Sequence, residues 1–276
     1  MQVHSIISNT ISEELLQTGH LSIRFLADGF SLLLADRNFK PVILNRFTDD
    51  SSRTRKGMIG FCEEWLNRHT LLNDFKGEIT IVLNASAATI VPEDLFTPDA
   101  ARSYLQNTAS VSTGSAVRYK KMKMRPVYLV YEVHDIIQSL PEKFNGTARI
   151  MHPDEILISL ADQVNASDHQ RGFVLTEYQE GSLHCLIISD DNIRLSNQLK
   201  VKNEEEIVYF TLNFYKQLEI ERRSIPLYLT GLPDEKVVSS LKKYIRKVQS
   251  LSYYIQDIDK GMIPEHAVLA EATKCE

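Results

Sequence analysis

One rhythm of strands and turns occurs twice in this chain, and the repeat restricts the possible folds more than any other feature. Residues 20–44 read HLSIRFLADGFSLLLADRNFKPVIL, and residues 172–199 read GFVLTEYQEGSLHCLIISDDNIRLSNQL. Each segment opens with an alternating run, turns at a glycine (Gly29 or Gly181) and turns again at a cluster of Asp and Asn residues. Alternating runs between such turn residues are typical of antiparallel strands. The repeat therefore predicts three consecutive strands in each half.

The segments that follow each run predict the same continuation, a helix and then a strand. In the first half, SSRTRKGMIGFCEEWLNRH has a helical apolar stripe, and GEITIVLN reads as a strand. The stripe consists of Met58, Cys62, Trp65, Leu66 and His69. In the second half, the helix KNEEEIVYFTLNFYKQLEIE precedes the strand IPLYLTG, the helix PDEKVVSSLKKYIRKVQ and a last strand in SLSYYIQDI. Asn203 stands three residues before Glu206, as in a capping box.

The segment between the two halves reads as an inserted αβ unit. It contains the strand VYLVYEV, the helix HDIIQSLPEKF, the strand TARIMH and the helix PDEILISLADQV. The sequence thus predicts a first half over residues 1–170 that includes this insertion, and a second half over residues 171–260. Residues 261–276 are expected to form a loosely held tail.

Composition and charge exclude several classes of protein. The 276 residues carry a formal net charge of −5, which opposes the positive field that nonspecific nucleic-acid binding needs. Apolar runs stay well below the roughly 20 residues of a membrane-spanning helix, and the start MQVHSIISNTISEELL lacks the features of a secretory signal. Cysteines are three in number and far apart, which disfavours disulfides and CxxC-type zinc sites. We therefore expect a cytoplasmic protein without bound metal.

The order of elements is similar to a known plan. Three strands, a crossover helix, a strand and a helix, used twice, resemble the duplicated ribonuclease H-like fold of actin, sugar kinases and chaperone ATPases. The phrases LSIRFLADGFSLLLAD, VYLVYEVHDI and FVLTEYQEGSLHCLII resemble an uncharacterised bacterial family of unknown function, DUF3822. The resemblance implies an α/β protein with an actin-like ATPase fold, in which two βββαβα halves carry mixed sheets.

The resemblance also implies where a nucleotide would bind. ATPases of this superfamily have an Asp near the end of the first strand of each half, followed by glycines that let backbone amides approach the phosphates. The corresponding residues here are Asp28 and Gly29 in the first half and Glu177 in the second. Asp28-Gly29 is also a common hairpin turn. Gly231 stands where the superfamily has a glycine pair near the adenosine, and it can equally be a simple turn residue before a helix.

The sequence gives little support to two other catalytic sites, a two-metal nuclease centre and a Cys–His pair. A ribonuclease H-like nuclease needs carboxylates on its central strands to hold two metal ions, but Arg24 stands at the centre of the first strand. Asp190 and Asp191 are interpreted as turn residues. His184 and Cys185 are adjacent in an apolar strand, where neighbours face opposite sides, so a direct Cys–His pair is not expected. We interpret them as a buried histidine and a small core cysteine.

The sequence therefore favours a non-catalytic protein of actin-like fold that binds a protein or peptide partner or acts as a scaffold, with degenerate nucleotide loops and no cofactor. The alternative is a divergent ATP-binding phosphotransferase or ATPase that holds Mg-ATP with Asp28, Gly29, Glu177 and Gly231 in the cleft between the halves. The basic segment Arg118–Arg125 has two interpretations. It is either a solvated strand face or a contact for anions or a membrane surface.

Overall fold

The structure is a computed structural model that divides the chain into two compact units. The first unit comprises Met1–Ile156 and Leu269–Glu276, and the second comprises Leu157–Val268. The structure describes residues 2–8, 11–26, 29–48, 75–83, 86–138, 140–143, 148–168, 172–179, 181–231, 234–251 and 263–275. The helix predicted from Met58 to His69 lies outside these residues.

Six strands form the main sheet of the first unit, in the spatial order β1-β4-β3-β2-β5-β9. These strands are β1 (Gln2–Ser8), β2 (His20–Phe25), β3 (Gly29–Ala35), β4 (Pro41–Thr48), β5 (Glu78–Val82) and β9 (Arg149–Met151). The central strand β2 is antiparallel to β3 and parallel to β5, and β9 is parallel to β5. Strand β1 pairs with the edge of β4 and was not predicted from the sequence.

The second unit has one five-stranded sheet, in the spatial order β12-β11-β10-β13-β14. Its strands are β10 (Phe173–Gln179), β11 (Ser182–Ser189), β12 (Asn192–Lys200), β13 (Leu227–Gly231) and β14 (Val248–Ser250). Here too the central strand is antiparallel to the strand that follows it and parallel to the fourth strand. Apart from β1, both sheets place their strands in the order third, second, first, fourth, fifth. The predicted duplication with mixed sheets is confirmed.

A smaller sheet in the first unit contains one of the two strands predicted for the insertion, VYLVYEV, whereas the other, TARIMH, forms β9 of the main sheet. Its spatial order is β6-β8-β7, and all of its pairs are antiparallel. The strands are β6 (Ala88–Pro92), β7 (Ala116–Lys121) and β8 (Val127–Val133), the last coinciding with the predicted VYLVYEV. Val91 of β6 and Val130 of β8 pack against Ala101 and Leu105 of a short helix, which covers one face of this sheet.

The described helices connect and cover the sheets. In chain order they are α1 (Glu13–Thr18), α2 (Ala101–Gln106), α3 (Asp135–Gln138), α4 (Leu140–Lys143), α5 (Pro153–Asp168), α6 (Glu204–Gln217), α7 (Glu235–Lys242) and α8 (Ile263–Ala272). Helices α6 and α7 cover one face of the second sheet. One buried apolar cluster joins Ile207 and Phe214 of α6, Leu241 of α7, and Val174 and Leu229 of the sheet.

Helix α6 begins with the Asn203 cap that the sequence predicts, and Glu206 reaches back to the amide of the residue before the cap, in a variant of the capping box. The Asn203 side chain accepts a hydrogen bond from the backbone N–H of Glu206 at 2.9 Å. The Glu206 carboxylate in turn accepts one from the backbone N–H of Lys202 at 2.8 Å. Two amides that lack partners within the helix are thus satisfied by side chains.

Loss of this cap is expected to lower the stability of the folded chain. We expect Asn203→Ala to lower the free energy of unfolding by about 1 kcal/mol, because the N–H of Glu206 loses its acceptor. Asn203→Ser is the matched control, since serine also caps helices, and it should cost much less. Chemical denaturation followed by far-ultraviolet circular dichroism measures both changes. Equal losses in the alanine and serine variants would contradict a capping role.

Two expectations for the C-terminal region need correction. The loosely held tail is wrong for the described residues, because α8 forms and its residues from His266 to Ala272 are all buried. Residues 267–270 are four consecutive apolar residues, and burial of such a run stabilises a helix without a visible stripe. The last strand also begins earlier than predicted, at Val248, and residues 252–260 lie outside the described part of the chain.

Length and hydropathy decide whether a helix can cross a bilayer. Within the described residues, no helix combines the length and apolar character needed to do so.

Candidate functional site

The first hairpin of the first sheet is where the sequence predicts one of the phosphate-binding loops. Phe25 of β2 pairs with Phe30 of β3, and the backbone N–H of Leu26 donates to the carbonyl oxygen of Gly29 at 2.8 Å. Only two residues separate Leu26 from Gly29. One of them is the predicted site residue Asp28, which lies outside the described residues.

The first hairpin of the second sheet is equally short. Gln179 at the end of β10 pairs with Ser182 at the start of β11, so two residues complete the turn. The predicted site residue Glu177 lies inside β10, two positions before its end, and its residue is only 3% exposed. Thr176 and Tyr178 are likewise strand residues. This part of the chain continues the ladder of the sheet instead of forming a loop.

At each of the two candidate glycines, the backbone of a neighbouring strand occupies the space that a side chain would need. A Cβ added to Gly29 would collide with the carbonyl oxygen of Phe47, and one added to Gly231 would collide with that of Tyr178. Gly231 also has φ +88°, a conformation that side-chain-bearing residues rarely adopt. Strand packing alone therefore requires glycine at both positions. Nucleotide binding by Asp28, Gly29, Glu177 and Gly231 stays a prediction.

Glu177 belongs to a row of polar side chains across the second sheet. It lies opposite His184 of β11 on one side and Thr230 of β13 on the other, and His184 lies opposite Gln198 of β12. Directly opposed residues project from the same face of a sheet. Glu177, His184 and Thr230 are each at most 3% exposed. Sequence reasoning missed this row, because alternation within one strand does not establish the register between strands.

Hydrogen bonds extend this polar row toward the hairpin. The Gln179 amide lies 3.5 Å from the Glu177 carboxylate, and the Gln198 amide donates to the Ser182 hydroxyl at 2.8 Å. Buried polar groups in such a network make one arrangement of the sheet more favourable than others. Glu177 supplies the carboxylate of this row, and it is buried on one face of the sheet.

His184 and Cys185 have the separate environments that the sequence predicts. Cys185 is fully buried in the apolar cluster under α6 and α7, and this burial raises the pKa of its thiol. His184 lies on the opposite face, across from Glu177. A thiol in this environment is a poor nucleophile, because the thiolate is the reactive form.

A groove of about 550 Å³ lies on the second unit between α6 and α7. Tyr209 and Tyr244 line it and are 62% and 56% exposed. Its charges are mixed, since Glu204 and Glu205 contribute from α6 and Lys236 and Lys243 from the α7 region. The groove thus offers an apolar surface of modest size without a net charge that would select a ligand.

A second exposed surface lies on the small sheet of the first unit and combines aromatic and basic residues. Phe96 stacks on Tyr128 at a centroid distance of 3.9 Å, and Tyr119 lies 4.9 Å from Phe96. Tyr119 is 45% exposed and Leu95 is 67% exposed. The neighbouring segment Arg118–Arg125 contains five cationic residues and no acidic residue.

Two lysines of β7 form ion pairs of different kinds. Lys120 donates to the buried carboxylate of Glu155, whose side chain is only 4% exposed. Burial raises the pKa of Glu155, and the hydrogen bond from Lys120 opposes that rise. Lys121 pairs instead with the half-exposed Glu93, and this hydrogen bond raises the pKa of Lys121.

A metal site needs several His, Cys, Asp or Glu side chains that converge on one point. Among the described residues, no group of three or more such side chains converges as metal ligands. Asp190 and Asp191 lie in the β11–β12 turn, both with positive φ, as the interpretation as turn residues predicts.

Comparison with solved structures shows the fold. A protein of actin-like ATPase fold and unknown function from Bacteroides thetaiotaomicron VPI-5482 is 17% identical, with a TM-score of 0.79 over 97% of this chain and all of that chain. A chain of the PilM-PilN type IV pilus biogenesis complex is 11% identical, with a TM-score of 0.66 over 92% of this chain and 97% of that chain.

The ethanolamine utilization protein EutJ from Carboxydothermus hydrogenoformans is 8% identical, with a TM-score of 0.52 over 97% of this chain and 92% of its own. No curated protein matches the sequence. The family described as protein of unknown function, DUF3822, matches residues 8–248. This match spans most of the chain, which therefore belongs to the DUF3822 family and has an actin-like ATPase fold.

Proposed function

We propose that this chain is a non-catalytic binding or scaffold protein that holds a protein or peptide partner. The observation that carries the proposal is the length of the two first hairpins, each of which closes with two residues. Phosphate binding needs successive backbone amides that turn toward the ligand in an open loop. A hairpin that leaves only two residues outside the strand ladder has few amides available for such a loop.

Three further observations support a binding role over catalysis. The spaces beside Gly29 and Gly231 are occupied by strand backbone, and Glu177 is buried inside the sheet. Cys185 lies in an apolar core. The fold is compatible with partner binding, since a chain of the PilM-PilN complex shares it.

Thermal unfolding with nucleotides tests the proposal. A ligand that binds only the folded state adds about 2.7 kcal/mol of stability at a hundred times its Kd. For a chain of this size such a gain raises Tm by several degrees. We expect no change in Tm with millimolar Mg-ATP, Mg-ADP or Mg-GTP. A reproducible rise that disappears in Asp28→Asn or Glu177→Gln would favour the ATP-binding alternative.

A further inference from the structure

Strand β7 has one side that faces away from its sheet. The backbone N–H of Met122 donates to the carbonyl oxygen of Val127 at 3.0 Å, so this pair of the β7–β8 ladder is hydrogen-bonded. Hydrogen-bonded and non-hydrogen-bonded pairs alternate in antiparallel sheets. In the observed register, the backbones of Val117, Tyr119 and Lys121 must therefore point away from β8.

The other ladder of the same sheet agrees with this assignment. The backbone N–H of Glu132 donates to the carbonyl oxygen of Ala87 at 2.8 Å, and that of Glu93 donates to Pro126 at 2.9 Å. Even-numbered residues of β8 thus bond to β6, which leaves the odd-numbered ones for β7. Among the described residues, no hydrogen bond reaches the outward backbone groups of Val117, Tyr119 or Lys121.

The two edges of this sheet are not equivalent. The outward residues of β6 end at Pro92, which has no N–H to donate, and proline is a common protection of sheet edges. The edge of β7 has no proline and is followed by Met124, which is 76% exposed. An edge that keeps all of its N–H groups can accept an added strand through main-chain hydrogen bonds. The cationic side chains along β7 disfavour pairing with a second copy of the same strand.

Side chains on both faces of β7 indicate the chemistry of such a strand. Arg118 and Lys120 project from one face of β7. Val117 and Tyr119 project from the other face beside the aromatic cluster of Phe96 and Tyr128, together with Lys121, whose charge is paired with Glu93. Lys120 and Lys121 are paired with Glu155 and Glu93, and the exposed Arg118 is the cation of this strand that the proposal uses. Acidic side chains on one face and apolar side chains on the other would complement this edge.

We propose that the outer edge of β7 binds an extended acidic segment of a partner protein, which adds as a strand and alternates acidic with apolar residues. This inference rests on the proposed binding function and names its surface and the kind of partner. The backbone of Val117, Tyr119 and Lys121 supplies the hydrogen bonds. Arg118 selects acidic side chains, and Tyr119 packs against the apolar ones.

Hydrogen exchange with a synthetic peptide tests the proposal. The probe is a capped peptide of about eight residues that alternates glutamate and valine, a length within the usual range for strands. We expect it to slow exchange of the amides of Val117, Tyr119 and Lys121 by at least about tenfold at saturation, while the β6 edge is unchanged. A lysine–valine peptide of equal length should leave all of these amides unchanged.

Two variants separate the contributions of backbone and charge. Tyr119→Pro removes an outward N–H without removing a bond to β8, and it should weaken peptide binding at least about tenfold. Arg118→Gln tests charge without changing the backbone and should make binding less dependent on salt. Lys243→Gln, on the second unit, is the matched control and should bind like the parent chain.

The results of these experiments distinguish a peptide site on β7 from the groove between α6 and α7, from nucleotide binding and from a membrane contact. Protection at the groove between α6 and α7, or no protection anywhere, would overturn the β7 site. A response to Mg-ATP without peptide binding would overturn both proposals, whereas no response to either would overturn this one alone. Binding to vesicles of phosphatidylserine and phosphatidylcholine that is lost in Arg118→Gln and kept in Tyr119→Pro would show a membrane contact instead.

Discussion

Replacing Gly231 with alanine is expected to destabilise the second unit by about 3 kcal/mol. The positive φ costs a non-glycine residue about 1–2 kcal/mol, and forcing a methyl group into filled space costs about 1–3 kcal/mol. That space is filled by the backbone of Tyr178 on β10, whose carbonyl carbon and nitrogen would lie 2.7 Å and 2.9 Å from the new Cβ. Backbone within a sheet cannot rotate away as a side chain can, so β10 and β13 would have to separate locally.

Gly181→Ala provides a matched control for this prediction. Gly181 has a similar φ of +76°, but the nearest atom to its added Cβ is the carbonyl oxygen of Val201 at 3.9 Å. We therefore expect only the conformational cost of about 1–2 kcal/mol. Native-state hydrogen exchange of amides in β10 and β13 measures both variants within the second unit. Equal losses of stability in Gly231→Ala and Gly181→Ala would show that packing against Tyr178 does not require glycine at residue 231.

The second large effect is expected from Lys120→Met, which leaves the buried carboxylate of Glu155 without its ion-pair partner. Breaking a buried pair costs about 3–5 kcal/mol, and we expect about 2 kcal/mol here because the side chain of Lys120 is 37% exposed. Lys121→Met is the matched control on the same strand. Its partner Glu93 is 37% exposed, and exposed pairs contribute about 0–1 kcal/mol.

The effect of Lys120→Met should depend on pH in a defined direction. Burial already raises the pKa of Glu155 in the folded state, and removal of Lys120 raises it further. A carboxyl with a raised folded-state pKa favours folding most below its unfolded pKa of about 4.3, and this contribution is lost as pH rises through the folded pKa. The variant should therefore recover most of its stability in acid relative to the parent chain.

A second substitution tests the same cause. Glu155→Gln in the Lys120→Met background removes the unpaired charge, and it should restore most of the lost stability at neutral pH. Chemical denaturation at pH 5 and pH 8 measures all of these variants. A loss of stability in Lys120→Met that does not depend on pH would assign the effect to packing of the Lys120 side chain. The same conclusion would follow if the loss persisted when Glu155→Gln is added.

Much of the fold could be predicted from sequence because its signals are local. Strand β8 is a run of β-branched, aromatic and aliphatic residues with a single glutamate, and the N-terminus of α6 is marked by Asn203 and Glu206. Strand β1 was missed because its pairing with β4 is separated in sequence and leaves no local pattern. Helix α8 was missed for a related reason, since its apolar residues form a run that only tertiary burial stabilises.

The candidate sites depended even more on information that a sequence does not contain. Glu177 was identified as a site residue from its position in a pattern, but its opposition to His184 and Thr230 is a property of strand register. The requirement for glycine at residue 231 similarly arises from a strand some fifty residues earlier in the chain. The composition of residues 118–125 was visible, whereas the free edge of β7 became visible only with the order of its sheet.

The insertion between β5 and β9 has a consequence for how the two sheets assemble. All strands of the second sheet come from the continuous stretch from Phe173 to Ser250, and its most separated neighbours, β10 and β13, have fewer residues between them than β5 and β9. In the first sheet, the parallel neighbours β5 and β9 are separated by the whole of the small sheet and helices α2 to α4. Closing a longer loop costs more entropy and slows folding. The duplicated sheets therefore differ in contact order, and the second sheet is the one that can form first.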